Sequence, residues 1–289
     1  MFKKLIIGTA LTLVVIASAI YIIGGGFGNK PPLPTALQYA NRPMLIGHRG
    51  ATSTNPLLPD NTLAAFSHAQ ERGYRWIEFD IQNSADGAFV VYHDRIGGEE
   101  LPDVDTVSHL TLAQLQTHKI VSGSVLTDYT IPTLDSVIRR FDTTMFYYFD
   151  MKTYGSASIF SLADNIARFI NEHGLVDNVF VATHRVAFIA YLEYRHPEVN
   201  TVLEGFNERM AELLDYVPKN FKPDMISGYQ VALDDSLVSF LRESGWIERY
   251  ITFHVDSANL KQTLDWGIQY IMVDDGKYVD SLLKLQTQP

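Results

Sequence analysis

The chain has 289 residues, 46% of them apolar and 12% aromatic, which supplies a large core and excludes a disordered polypeptide. Its formal net charge of −10, with no lysine and arginine stripe, excludes a nucleic-acid backbone as partner, so any phosphate must be met locally. No cysteine is present, which removes disulfides, a thiol nucleophile and a lipidated cysteine together.

At the start of the chain, Lys3 and Lys4 precede residues 5–23, which carry no charge and approach the roughly 20 positions needed to cross a bilayer. This predicts a transmembrane or signal-anchor helix over residues 1–24. The lysines place its start in the cytoplasm and the rest of a single-pass, membrane-anchored protein on the periplasmic or extracellular side. Ala17-Ser18-Ala19 is an alternative signal-peptidase site, but the apolar run continues through Ile23, which favours an uncleaved anchor. Residues 25–42, rich in glycine and then carrying Pro31, Pro32 and Pro34, read as a linker that is flexible and then stiff. Residues 43–289 form the main domain.

Within that domain, short β-rich runs alternate with amphipathic helical stretches. The runs cover residues 44–48, 76–82, 145–152, 178–183, 200–205, 224–229, 250–255 and 270–274, with helices such as 62–72 and 159–173 between them. Alternation of this kind builds a parallel sheet, and eight units predict an α/β fold, a closed (β/α)8 TIM barrel. A barrel carries its site at the C-terminal strand ends, whereas a doubly wound sheet uses a crevice where strand order reverses. His48, Glu78, Asp80, Asp150, Lys152, His184, Glu204, His254 and Asp274 all fall at or just past those ends. The longest interruption, residues 97–132, includes a short helix around 112–118 and reads as a lid or a substrate-facing insertion.

The segment "IEFDIQNSADGAFVVYHD", residues 77–94, carries the most chemistry. Strand periodicity puts Glu78 and Asp80 on one face and Ile77, Phe79 and Ile81 on the other. Asp86-Gly87 predicts a tight hairpin that brings His93 and Asp94 back toward those carboxylates. Adjacent carboxylates repel unless a cation or proton intervenes, and their hard oxygens suit magnesium or calcium. Taken singly, each carboxylate reads more readily as half of an ion pair, and each histidine as a hydrogen-bonded loop residue. Together they allow a metal to draw charge from a substrate while imidazoles move protons. Arg49 and Lys152 add cations that fit an anionic substrate.

The ordered set "GHRG" (47–50), "PDNTLAAF" (59–66), the 77–94 segment and "IPTL" (131–134), with the later "FDMK" and "VDD", resembles the glycerophosphodiester phosphodiesterases over nearly all of residues 44–275. The resemblance implies a phosphoric diester hydrolase that cleaves glycerophosphodiesters to glycerol 3-phosphate and an alcohol with one divalent metal ion, Mg2+ or Ca2+. On the matching positions, Glu78, Asp80 and Asp150 correspond to the metal ligands and His48 and His93 to the catalytic pair. Arg49 corresponds to the phosphate-contacting arginine and Lys152 to the strand-end lysine. The implied reaction is an internal attack by a glycerol hydroxyl through a cyclic phosphate that water then opens. Asp60 and Asp150 stand where glutamates are usual, His184 where an aromatic is frequent, and Phe253 where tryptophan is common. The shorter arm of Asp150 bears on metal preference. Two other readings remain open at this stage: a lysophospholipase D, if the anchor holds the mouth near membrane lysophospholipids, and a non-catalytic barrel that binds phosphodiesters. The implied partners are a small-molecule substrate and the membrane, with neither nucleic acid nor a protein partner.

Overall fold

The computed structural model describes residues 2–274 except 29, 31, 35–42, 53, 54, 56, 155–157 and 257, with side chains from Thr12 onward, residues 208 and 211 apart. In chain order the strands are β1 (Met44–Gly47), β2 (Trp76–Asn83), β3 (Phe89–Val91), β4 (Val121–Ser122), β5 (Val125–Leu126) and β6 (Phe146–Met151). There follow β7 (Val179–Thr183), β8 (Asn200–Leu203), β9 (Met225–Tyr229), β10 (Tyr250–Phe253) and β11 (Tyr270–Val273). The helices are α1 (Phe2–Ile23), α2 (Leu63–Glu71), α3 (Leu112–Leu115), α4 (Leu134–Phe141) and α5 (Ile159–Glu172). The remaining helices are α6 (Val186–Arg195), α7 (Glu208–Leu214), α8 (Asp235–Glu243) and α9 (Leu260–Asp265).

All eight predicted runs are strands. They pair in parallel in the order β1-β11-β10-β9-β8-β7-β6-β2, and β1 also pairs with β2, so the sheet closes on itself. Closure creates two cores from one alternation. Ile77, Phe79 and Ile81 of β2 face outward and pack with Phe66, Val137, Phe149 and Ile166 beneath the helices. The other face fills the barrel with Ile46, Trp76, Tyr148, Phe180, Val202, Met225, Ile251 and Met272. Each such fully buried side chain contributes roughly 1.5–3 kcal/mol against exposure. Helix starts follow side-chain caps: the hydroxyls of Thr62, Thr133 and Ser158 accept from backbone amides in the first turns of α2, α4 and α5.

The predicted hairpin forms, with Asn83 opposite Phe89 and Gly87 at φ 83°, a conformation glycine adopts freely. Residues 97–132 form a packed insertion beside the mouth, with Glu100 near enough to Arg49 to feel its charge. Leu101, Val104, Val107, Leu115, Ile120 and Ile131 close a satellite core on Val90 and Tyr92, and none of these inserted residues lines the central cavity.

Two observations bear on the N-terminus. Among the described residues no helix is long and apolar enough to cross a membrane. Nor is the described part of the linker loose. The amides of Asn220 and Lys219 donate to the Gly24 and Gly26 carbonyls, each at 2.9 Å, and Leu33 is 8% exposed in the barrel interior. Its lysine and leucine reach partners on the barrel that a glycine and proline composition does not announce.

Candidate active site

The parallel strands point their C-terminal ends to one mouth, where a cavity of about 300 Å³ opens. Its lining includes His48, Arg49, Glu78, His93, Asp150 and Lys152, and Asp80 lies directly beneath, paired to Arg49 and Lys152. All seven residues singled out in the sequence therefore converge. Glu78, Asp80 and Asp150 each bring a carboxylate oxygen to within 4.8 Å of the others. Asp80 and Asp150 sit opposite each other in the β2–β6 register, which is why strands far apart in sequence deliver a matched pair.

The cations are placed with equal economy. Lys152 bridges Asp80, at 2.9 Å, and Asp150. Arg49 reaches Asp80 with Nε at 3.2 Å while its backbone amide donates to Glu78 at 2.8 Å. That geometry needs Arg49 in a left-handed conformation, φ 51°. Asn61, also left-handed at φ 60°, donates to Asp80 Oδ2 at 2.8 Å and accepts from the Asp80 amide at 3.3 Å. Asp80 is thus gripped from several sides, and its buried Oδ1 is met by the Lys152 ammonium, 2.9 Å away, with no further hydrogen bond.

Electrostatics separate the three carboxyls. Burial would raise Asp80, but Lys152 and Arg49 outweigh it and hold the group down at about 2. Burial pushes Glu78 well above the usual carboxylate range, with Asp80 and Asp150 adding repulsion, and burial also raises Asp150 against the pull of Lys152. Three carboxylates facing two cations leave the fully ionised cluster one charge negative. A divalent ion would turn it one charge positive, matching a phosphodiester monoanion. An all-oxygen donor set, with Asp80 Oδ1 met by the Lys152 ammonium and nothing else, fits such an ion.

Both histidines are oriented alike. His48 Nδ1 meets Asp274 and His93 Nδ1 meets Asp94 at 2.6 Å. A carboxylate only accepts, so each Nδ1 carries the proton and each Nε2 is left for chemistry. His48 Nε2 lies 3.7 Å from Glu78. Asp274 holds His254 Nδ1 as well, at 2.8 Å, and His254 stacks on Tyr229 with ring centroids 5.5 Å apart. Two hydrogen bonds drive Asp274 far below the ordinary carboxylate range although burial opposes them.

Asp274 therefore belongs to the site, as do His254 and Glu204, whose default sequence reading is structural. Glu204 lines the cavity, accepts from the Tyr148 hydroxyl at 2.8 Å, and is pushed up to about 8 by burial and by Asp150. Asn61 lies inside the "PDNT" motif, and its tolerance of positive φ is the one sequence signal that could have marked it. Asp60 takes a hydrogen bond from Thr52 at 3.1 Å, while Arg49 and Lys152 both pair with Asp80.

Residues 48–277 match the profile of the glycerophosphoryl diester phosphodiesterase family. The chain belongs to that family. A glycerophosphodiester phosphodiesterase of Bacillus subtilis (strain 168) is 24% identical over 249 residues, covering 79% of this chain and 82% of that one. Among solved structures, a glycerophosphodiester phosphodiesterase from Agrobacterium tumefaciens str. C58 superposes with TM-score 0.67 at 20% identity, covering 83% of this chain and 99% of that one. An Oleispira antarctica phosphodiesterase, determined in complex with the product sn-glycerol-3-phosphate, superposes with TM-score 0.68 at 20% identity, over 86% and 98%. These structural likenesses show the shared barrel. Family membership makes this glycerophosphodiester phosphodiesterase a phosphoric diester hydrolase.

Proposed function

We propose that the enzyme hydrolyses glycerophosphodiesters to glycerol 3-phosphate and an alcohol, with Glu78, Asp80 and Asp150 holding one magnesium or calcium ion and His48 and His93 moving the protons. The observation that carries this reading is the convergence of three carboxylates, two cations and two carboxylate-oriented histidines on one cavity. When bound, a divalent ion supplies Lewis-acid polarisation of a phosphate oxygen.

The chain's own residues do the rest. Arg49 and Lys152 offer positive charge to the phosphate oxygens, and Arg49 presents a planar fork suited to them. One imidazole takes a proton at Nε2 from the attacking glycerol hydroxyl while the other gives one to the leaving alcohol oxygen, and water, with the two proton transfers reversed, then opens the cyclic phosphate to glycerol 3-phosphate. Asp274 and Asp94 stabilise whichever ring is charged. Asn61 holds Asp80 in register with Asp150.

The N-terminal segment we assign as a single-pass anchor, with the barrel on the periplasmic or extracellular side. Support comes from the uncharged run of residues 5–23 after two lysines and from the exposure of Leu13, Val14, Val15, Ile16, Ile22 and Ile23 on α1.

The test strips the full-length protein of metal and assays glycerol 3-phosphate release from glycerophosphocholine and glycerophosphoethanolamine with magnesium or calcium added back. Release restored by metal and absent in Asp80→Ala is the expected result. Turnover in thoroughly chelated enzyme, or no turnover with any divalent ion, would sink the reading.

A further inference from the structure

We propose that, given the anchor assigned above, the floor of the barrel lies against the bilayer that α1 enters. The mouth then opens into water, and the enzyme takes water-soluble glycerophosphodiesters rather than lysolipids held in its own membrane.

The direction of the strands fixes the two ends. Every catalytic candidate lies at a C-terminal strand end, whereas α1 is tied to the opposite one. Its C-terminus is clamped to the turn at Lys219–Phe221, which immediately precedes β9 and therefore sits on the floor. The amides of Asn220 and Lys219 bond the Gly24 and Gly26 carbonyls, and Asn220 Nδ2 reaches the Ile23 carbonyl at 3.3 Å. The approach is close enough that a Cβ at Gly24 would stand 2.3 Å from Pro218 Cβ and 2.8 Å from the Phe221 ring, so only glycine fits.

A second tie follows six residues later. Lys30 bridges Glu193, near the C-terminal end of α6, and Asp224, just before β9, the latter at 2.6 Å. Because α6 follows β7, it runs from mouth to floor, and both partners lie at the floor. Two ties around residues 24–30 leave little freedom for the barrel to turn its mouth toward the lipid.

The surface around the exit has the matching chemistry. Tyr194, Leu213 and Tyr216 are 46%, 60% and 75% exposed, and Tyr194 packs on Phe221, ring centroids 5.5 Å apart, beside the clamp. Phe27, 58% exposed, packs on Tyr21 at 4.9 Å. Tyrosines and apolar side chains gathered where a helix leaves the hydrocarbon suit the bilayer interface. Leu57, Ile96, Phe160, Val186, Tyr229 and Val231 are also exposed, but they belong to separate segments around the mouth. A β-strand rises about 3.3 Å per residue, so strands mostly of four to six residues hold the two ends of the barrel roughly 13–20 Å apart along the strands.

The chain has no cysteine, so one introduced thiol carries a fluorophore uniquely. Full-length Tyr216→Cys (floor) and Val231→Cys (mouth), in vesicles of phosphatidylethanolamine and phosphatidylglycerol with a headgroup-attached quencher, should differ several-fold, the floor probe being the more quenched. The same vesicles should turn over added glycerophosphoethanolamine and leave lysophosphatidylethanolamine in the enzyme's own leaflet uncleaved. Stronger or equal quenching at the mouth, or cleavage of that lysolipid at a comparable rate, would overturn the proposal. Release of the protein by alkaline carbonate would overturn the anchor and the orientation with it. A quenched floor probe with neither substrate cleaved would support the orientation and overturn the catalytic reading alone.

Discussion

Two lysines at opposite ends of the barrel do the same thing with different outcomes. Lys152 at the mouth spans Asp80 and Asp150, and Lys30 at the floor spans Glu193 and Asp224. On the floor the remaining acceptors are filled by one residue: the Thr201 hydroxyl bonds Glu193 and its amide bonds Asp224 at 3.0 Å. At the mouth a third carboxylate, Glu78, adds negative charge, and an open cavity lies above. The carboxyls answer accordingly, with Asp80 held down at about 2 by two cations and Glu193 pushed up to about 8 by burial and Asp224. A bridged pair buried under its own acceptors is a strut. A bridged pair with a third carboxylate beside it and an open cavity above is a site.

The sharpest way to break this distinction is to remove one carboxylate from each end. Asp80→Ala should cost about 10³-fold or more in kcat/KM, since Lewis-acid stabilisation amounts to several kcal/mol. Steady-state kinetics under saturating divalent ion, with circular dichroism to confirm folding, checks it. Activity within tenfold of the parent would make the mouth a second strut. Smaller, roughly 10²–10⁴-fold losses are expected for His48→Ala and His93→Ala, as for removal of a general acid or base. Because both rings are oriented by carboxylates, neither loss should be rescued by more metal.

Much of this was legible in the sequence, and the reasons differ by element. The strands showed because Val, Ile, Phe and Tyr runs alternate with helix-length segments, and their ends shifted only where the backbone turns sharply. Strand β1 stops at Gly47 because Arg49 and Ala51 take positive φ, and β8 stops at Leu203 ahead of Gly205 at φ 74°. Period-two spacing exposed the shared face of Glu78 and Asp80. It said nothing of Asp274 bridging His48 and His254, because that contact closes the barrel across 226 positions and needs His254 at φ 55°. The Lys30 strut was equally hidden: an ion pair spanning 163 residues leaves no local pattern.

At the floor, Lys30→Met should leave kcat unchanged and destabilise the fold. Stripping one partner from a buried pair costs about 3 kcal/mol at the low end, which applies here because Glu193 can take a proton instead. For a domain of this size that is a fall of roughly 6–12 °C in Tm. Glu193 adds a pH signature. Its folded carboxyl titrates near 8 against an ordinary 4.5, so its favourable contribution is complete below about 4.5 and is lost as pH rises through about 8. Denaturant midpoints across that window should decline in the parent and flatten in Glu193→Gln. A parallel decline in both would remove Glu193 as the cause.

The smallest effect belongs to the bridge between the two classes of residue. His254 touches His48 edge-on, ring centroids 5.5 Å apart, and shares Asp274 with it, but it need not contact the reacting atoms. Replacing it by alanine removes one hydrogen bond to Asp274, about 1 kcal/mol, or a three- to tenfold fall in kcat. A positioning role predicts that KM for glycerophosphocholine stays constant, that the pH profile of kcat shifts, and that asparagine, which can still donate to Asp274, restores part of the rate. A residue that only packs would leave the pH profile where it was. A loss as large as that of His48→Ala would instead place His254 among the groups that move the proton, and the count of catalytic histidines at the mouth would rise to three.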